Sequence, residues 1–219
     1  MQRKPNVIAF DTSAAHCAAA LLLGDRIITR IDDMAKGQAE HLMPMLEDML
    51  SAEGLAWNDM DAIGVGVGPG NFTGIRISVA AARGLALGLN RPAIGVSLLD
   101  AQVFGMTGVV ASCLSAPRGR VYIQGFCNGP ITEPALCDMR ADDMPPLPAK
   151  AEPLVCGDAA NEISALMGWQ PVAPLQPSIA GIAYLTRQRM HSATDRPAPL
   201  YLRAADAAPP RDPAPVILS

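Results

Sequence analysis

Apolar residues recur along the chain with two different periods, and the change from one to the other lays out the elements. Residues 6–11 (NVIAFD) form a compact apolar run ending on a carboxylate, and HCAAALLLGDRIITRI then reads as two strands joined at Gly24-Asp25. The next segment, GQAEHLMPMLEDML, has the helical period: Leu42, Met45, Leu46, Met49 and Leu50 share one face. Pro44 suits a helix that starts near Glu40 or His41, because a first-turn N–H has no intrahelical partner; an earlier start predicts a kink. Ala62 to Gly68 reads as a buried strand, Pro69 to Thr73 as a loop, Gly74 to Leu89 as a helix, and Gly95-Val96 as the close of another short strand.

From Val109 onward, VVASCLSAPRGRVYIQGFCNGP predicts two strands about a turn at Pro117 to Gly119. A proline-rich connector, DDMPPLPAKAEP, leads into PLVCGDAANEISALMG, a strand followed by a helix with Asp158 or Asn161 as its cap. Ile179 to His191 predicts a last helix, and the prolines after Arg203 predict an extended or mobile end. Each half carries a hairpin and a strand-to-helix unit. The expected fold is therefore α/β, with two related lobes spanning 1–100 and 101–219 and meeting near residues 97–105.

Composition narrows the function classes. Half of the 219 residues are hydrophobic, enough for a substantial core, and a net charge of −4 with scattered Lys and Arg argues against unaided nucleic-acid binding. Five cysteines at irregular spacing, with no CxxC pair, argue against both a disulfide framework and a zinc site and fit a reducing cytoplasm. The first apolar run reaches Asp11 too soon for a signal peptide, and no stretch of about twenty uninterrupted apolar residues suggests a membrane span.

The chemistry turns on GVGVGPGNFTGIRISVAAARGLALGL, residues 64–89: it either cradles a phosphate or launches a helix that another surface needs. A nucleotide P-loop needs a lysine directly after its glycines, and GPGNFTGIR has none; a GxGxxG fingerprint fails because Asn71 stands at its sixth position. Asp11-Thr12-Ser13, at the turn from strand to hairpin, either holds a metal-bound phosphate or forms an Asx turn that satisfies its own backbone. A candidate anion loop then comprises Asp11, Thr12, Ser13, Gly68, Gly70, Thr73, Gly74 and Arg76. His16, His41 and His191 form no ligand spacing, Ser97 lacks the second glycine of a hydrolase elbow, and Asp32-Asp33, Asp142-Asp143 and Asp59/Asp61 lie in polar, turn-like contexts. Arg76 and Arg83 share one face of the helix after the loop. Opposite them Ile77, Ala81, Gly84 and Gly88 form a strip of small side chains, open either to the lobe's own core or to a second helix.

The string GVGPGNFTGIRISVAAARGLALG resembles the signature of the bacterial TsaB (YeaZ) family, and VIAFDTSAAHCAAAL, HLMPMLEDML, RGRVYIQGF and PLYLR follow that family's order over nearly the whole chain. The resemblance implies a two-lobe, ribonuclease H-like fold of the actin, sugar-kinase and Hsp70 ATPase superfamily. It also implies a non-catalytic role in making threonylcarbamoyladenosine beside the tRNA anticodon, as a dimer with the metal-bearing transferase TsaD, joined by the ATPase TsaE, with tRNA reached only through the complex. The implied interface comprises His41, Leu42, Met45 and Met49 on one helix and Ile77, Ala81, Gly84 and Gly88 on the next. No catalytic residue, metal or cofactor is expected, weak nucleotide binding stays open, and a face made for a paralogue can accept a copy of itself. One departure is Ser115-Ala116-Pro117-Arg118-Gly119, which lacks the acidic residue expected before its Arg-Gly turn. The alternative is an ATP-dependent small-molecule kinase of the same superfamily using Asp11 and the Gly68 to Thr73 loop; a peptidase finds neither a nucleophile nor zinc ligands.

Overall fold

The computed structural model describes residues 3–148, 152–192 and 195–202. Its first sheet contains β1 (Asn6–Asp11), β2 (His16–Leu23), β3 (Arg26–Asp33), β4 (Ala62–Gly66) and β5 (Ala93–Val96), in the order β3-β2-β1-β4-β5. β1 pairs antiparallel with β2, from Asn6↔Leu23 to Asp11↔Ala18, and parallel with β4. The second sheet contains β6 (Val110–Ala116), β7 (Arg120–Phe126), β8 (Ala135–Asp138), β9 (Leu154–Gly157) and β10 (Gln170–Val172), in the order β10-β9-β6-β7-β8. Here β6 is antiparallel to β7 and parallel to β9. The two sheets thus share one topology: a three-stranded meander extended by two parallel strands. This duplication is the two-lobe actin-like ATPase architecture, with a mixed sheet in each lobe.

Strand β1 is buried on both faces, and its alternating side chains feed two separate cores. Ile8 and Phe10 join α1 (Gln38–Ala52) and α2 (Phe72–Leu89) on one side, while Val7 and Ala9 meet α5 (Ser178–Arg189) on the other. In the second sheet, Ile163 of α4 (Ala160–Met167) packs on one face, and Leu99 of α3 (Leu98–Gln102) packs near Val110 and Phe126 on the other.

The helices exchange places between lobes. α3 follows the last strand of the first sheet yet leans on the second, whereas α5 follows the last strand of the second sheet and covers the first. The two helices meet so closely that a Cβ at Gly181 would lie 2.1 Å from the carbonyl oxygen of Ala101. A division into 1–100 and 101–219 therefore misplaces α5: without it, Val7, Ala9, Ala18 and Leu22 would face water, so the first lobe takes its last helix from the far end of the chain.

Three local expectations also change. α1 begins at Gln38 with Gly37 as its N-cap in the left-handed conformation, so Pro44 falls in the second turn and removes one internal N–H. Phe72 and Thr73 belong to α2, whose cap is Asn71: its side-chain oxygen accepts from the Gly74 N–H at 2.9 Å. Neither Asp158 nor Asn161 caps α4; Ala159 takes that position, while Asp158 accepts from the Ser115 N–H at 2.7 Å and ties α4 to β6.

Candidate functional site

The glycine-rich loop after β4 lies directly on the turn between β1 and β2. Asp11, Thr12 and Ser13 are buried there. One carboxylate oxygen of Asp11 accepts from the Ser13 N–H at 3.1 Å, from the Ser13 hydroxyl at 2.8 Å and contacts His16 Nε2 at 3.2 Å. This is the Asx-turn arrangement. The hydrogen bond to Asp11 raises the pKa of His16 above its ordinary value, aided by the charges of Asp11 and Asp33 and opposed by partial burial. His16 is thus drawn into the turn, a pairing that sequence spacing alone did not signal.

The glycines are required by how near the two loops come. A Cβ at Gly66 would lie 2.1 Å from Asp11 Oδ1, one at Gly70 would lie 2.5 Å from the carbonyl oxygen of Ser13, and one at Gly74 would lie 1.8 Å from that of Thr12. Hydrogen bonds then fasten the contact: the Asn71 N–H donates to Ser13 O at 2.6 Å, and the Thr12 hydroxyl donates to Gly74 O at 2.7 Å. The Asn71 N–H is thereby given to the protein's own chain, and the Gly74 N–H is taken by the Asn71 side chain, so neither is free for an anion.

The remaining residues of the candidate anion loop go elsewhere. Gly68, at φ 95°, accepts from the Leu98 N–H at 2.8 Å and so faces α3. Thr73 is exposed. Arg76 lies 3.8 Å above the Phe72 ring and donates from Nε to the Tyr201 hydroxyl at 2.9 Å, while Phe72 and Tyr201 pack at 4.8 Å. The segment around residue 200 is pinned along this helix, with the Leu200 N–H on Val67 O and Arg83 Nε on Pro197 O. The short PLYLR string carries this anchor; residues 203–219 of the proline-rich end lie outside the described residues.

The two helices expected at an interface divide sharply. On α1, Leu42 and Met45 are 1% exposed and Met49 7%, all packed in the core beneath the first sheet, and His41 is half-buried against Asp32 at 2.7 Å. These residues hold their own lobe together, which corrects their placement on a partner face: an apolar stripe shows that something covers it, and here the cover is the sheet. The outward side of α1 is acidic and polar, with Glu40, Glu47 and Asp48 exposed.

On α2 the strip faces out. Ile75, Val79 and Ala82 are buried, but Ile77 and Ala81 are only partly so, Gly84 and Gly88 are exposed, and a Cβ at either glycine meets nothing within 4 Å. Leu87 beside them is 84% exposed. This helix of 18 residues has a mean hydropathy of 1.3 with 28% of it buried, long and apolar enough to span a membrane by length and composition. Arg76 and Arg83, and the packing of its inner side on the first sheet, mark it instead as an amphipathic surface helix.

Among the described residues no cluster of three or more His, Cys, Asp or Glu is placed to hold a metal ion. Burial pushes the Cys113 thiol up to about 12 and those of Cys17 and Cys156 up to about 11, so all three stay protonated near neutrality.

A duplicated actin-like fold whose glycine-rich loop is closed by its own β1–β2 turn defines a class: a two-lobe protein of the actin-like ATPase fold. Comparison with known proteins narrows this. A family model described as TsaD, tRNA N6-adenosine threonylcarbamoyltransferase, matches residues 29–129. An uncharacterized protein of Mycobacterium tuberculosis is 35% identical over 212 residues, covering 93% of this chain and 94% of its own. The Escherichia coli tRNA threonylcarbamoyladenosine biosynthesis protein TsaB is 34% identical over 122 residues, 53% of this chain and 52% of that protein. The solved structure of YeaZ from Pseudomonas aeruginosa superimposes with a TM-score of 0.73 at 27% identity, covering 90% of this chain and 100% of that one. The chain belongs to the TsaB (YeaZ) family.

Proposed function

We propose that this protein is a non-catalytic subunit in the threonylcarbamoyladenosine modification of tRNA, pairing through the outer face of α2 with the transferase TsaD and supporting recruitment of the ATPase TsaE. The observation that carries the reading is the outer end of the strip, where Gly84, Leu87 and Gly88 are exposed beside the half-buried Ile77 and Ala81. A helix so apolar and so little buried leaves surface that water solvates poorly, and two adjacent glycines let a partner helix approach closely. The interface centres on α2, with the acidic outer side of α1 at its rim. In the absence of TsaD, the same strip accepts a second copy of the chain. The names of the E. coli relative and of the family model support the pathway.

The reading gives the chain no metal or cofactor of its own and places it in the cytoplasm with its tRNA substrate. The kinase alternative asks Asp11 and the loop to handle a phosphate, yet the loop's Gly70 and Gly74 lie against the backbone of Ser13 and Thr12. Titration of the purified chain into TsaD by isothermal calorimetry should give saturable binding near one to one. The absence of heat with both proteins at high micromolar concentration rejects the pairing.

A further inference from the structure

Next to the C-terminal end of α2, Arg83, Arg91 and Arg196 line one open groove of about 510 Å³. They come from three places, namely α2, its connection to β5 and the stretch before Pro197. Asp195 is the one acidic residue on the groove wall. None of the three arginines forms an ion pair among the described residues, although the chain carries a net charge of −4. Arg83 donates Nε to Pro197 O, which fixes the wall and leaves its terminal nitrogens for other acceptors. The partial negative charge at a helix C-terminus favours one neighbouring cation and falls off within the last turn, so it does not account for three.

We propose that this groove holds the phosphodiester backbone of RNA, so that the chain contacts the tRNA directly; this rests on the tRNA-modification reading. Guanidinium groups bind phosphate oxygens through two parallel N–H donors, and a set of them fixes the position of a strand without reading its bases. The floor suits that task. Between the arginines lie Gly84, Ala86, Pro92 and Pro197, which offer no side-chain hydrogen-bonding group, and Asn90 is the one amide. An acidic protein segment would satisfy the charge, but this floor gives it little to recognise. Gly84 and Leu87 belong both to the groove and to the docking face, so RNA lying in it would run along the edge of the joint with TsaD.

The test uses the complex of this chain with TsaD and an unmodified tRNA transcript, followed by fluorescence anisotropy over a range of about 50–200 mM salt. The double substitution Arg91→Ala and Arg196→Ala removes two phosphate contacts and leaves Arg83 to hold Pro197. It should raise Kd roughly 10- to 30-fold at about 0.15 M salt and lower the log–log salt slope by about 1.4–1.8. The pair Arg91→Lys and Arg196→Lys, which keeps the charge, should retain most of the slope. Unchanged affinity and slope in an intact complex overturn the proposal. So does weaker assembly with TsaD at unchanged tRNA affinity, which would assign the groove to an acidic protein segment. Should the unsubstituted chain fail to pair with TsaD, the pairing itself falls, and the same salt titration on the isolated chain then decides the groove by the same criterion.

Discussion

Gly84→Leu separates folding from docking. No heavy atom lies within 4 Å of a Cβ at this position, and α2 is regular there, so the larger side chain enters solvent and not the core. In an exposed helix interior, Leu is favoured over Gly by about 0.7 kcal/mol, which for a chain of this size raises Tm by about 2 °C. Against a partner helix the effect reverses. A leucine in the strip holds the two backbones apart, and overpacking of about 1–3 kcal/mol weakens association roughly 5- to 150-fold. The assay pairs differential scanning fluorimetry of the isolated chain with calorimetric titration into TsaD. The melt is run at low concentration because self-association would make Tm depend on it. A variant that melts several degrees lower would show the strip to be covered within the monomer, and a variant that binds TsaD as tightly as the parent would place the joint elsewhere. Either result refutes the reasoning.

Gly74→Ala should do the opposite of Gly84→Leu: its Cβ would lie 1.8 Å from the Thr12 carbonyl oxygen, so urea denaturation should show a loss of about 1–3 kcal/mol. Asp11→Ala strips the Ser13 N–H and hydroxyl of their buried acceptor, which should cost about 1–3 kcal/mol by the same assay while calorimetric binding to TsaD persists; a loss of ATP turnover traceable to this substitution would instead favour the kinase reading. His16 links the turn to pH. Because its folded-state pKa is raised, its stabilising contribution is full below the unfolded value of about 6.5 and is lost as pH rises through the folded value. The stability difference between the parent and His16→Gln should therefore be larger at acid than at alkaline pH, and a difference that grows toward alkaline pH would contradict the pairing with Asp11.

Local periodicity made the strands and hairpins legible, because a side chain's alternation follows from its own neighbours in the sequence. The β2–β3 turn at Gly24-Asp25 and the β6–β7 turn at Pro117 to Gly119 fall where pattern places them. What pattern does not encode is the identity of the covering surface. Leu42, Met45 and Met49 announce an apolar face on α1, and the same stripe serves a sheet of the same lobe or a foreign helix equally well; only the nearness of β1 and β2 decides it. For the same reason α5 could not be assigned to the first lobe from its own residues, since its partners lie at the opposite end of the chain. The anchor of Arg76 on Tyr201 spans 125 positions, a separation at which no local rule operates.

What each glycine would meet bears on the choice between phosphate cradle and helix launcher. Gly66, Gly70 and Gly74 recur every four residues and all face the β1–β2 turn, where a Cβ would strike Asp11, Ser13 or Thr12. Gly84 and Gly88 repeat the same spacing but meet nothing. Gly84 lies ten positions beyond Gly74, and at about 100° per residue that rotation carries it roughly a quarter-turn round the helix, away from the turn that Gly74 touches. One residue type therefore has two settings in a single segment: the first set lets the chain close on itself, and the second leaves a flat surface, which the proposed docking would use. Substitutions in the first set must disturb folding before they disturb binding, and those in the second must do the reverse. A phosphate cradle would need the backbone at Gly70 and Gly74 open to its ligand, and there the carbonyl groups of Ser13 and Thr12 lie instead.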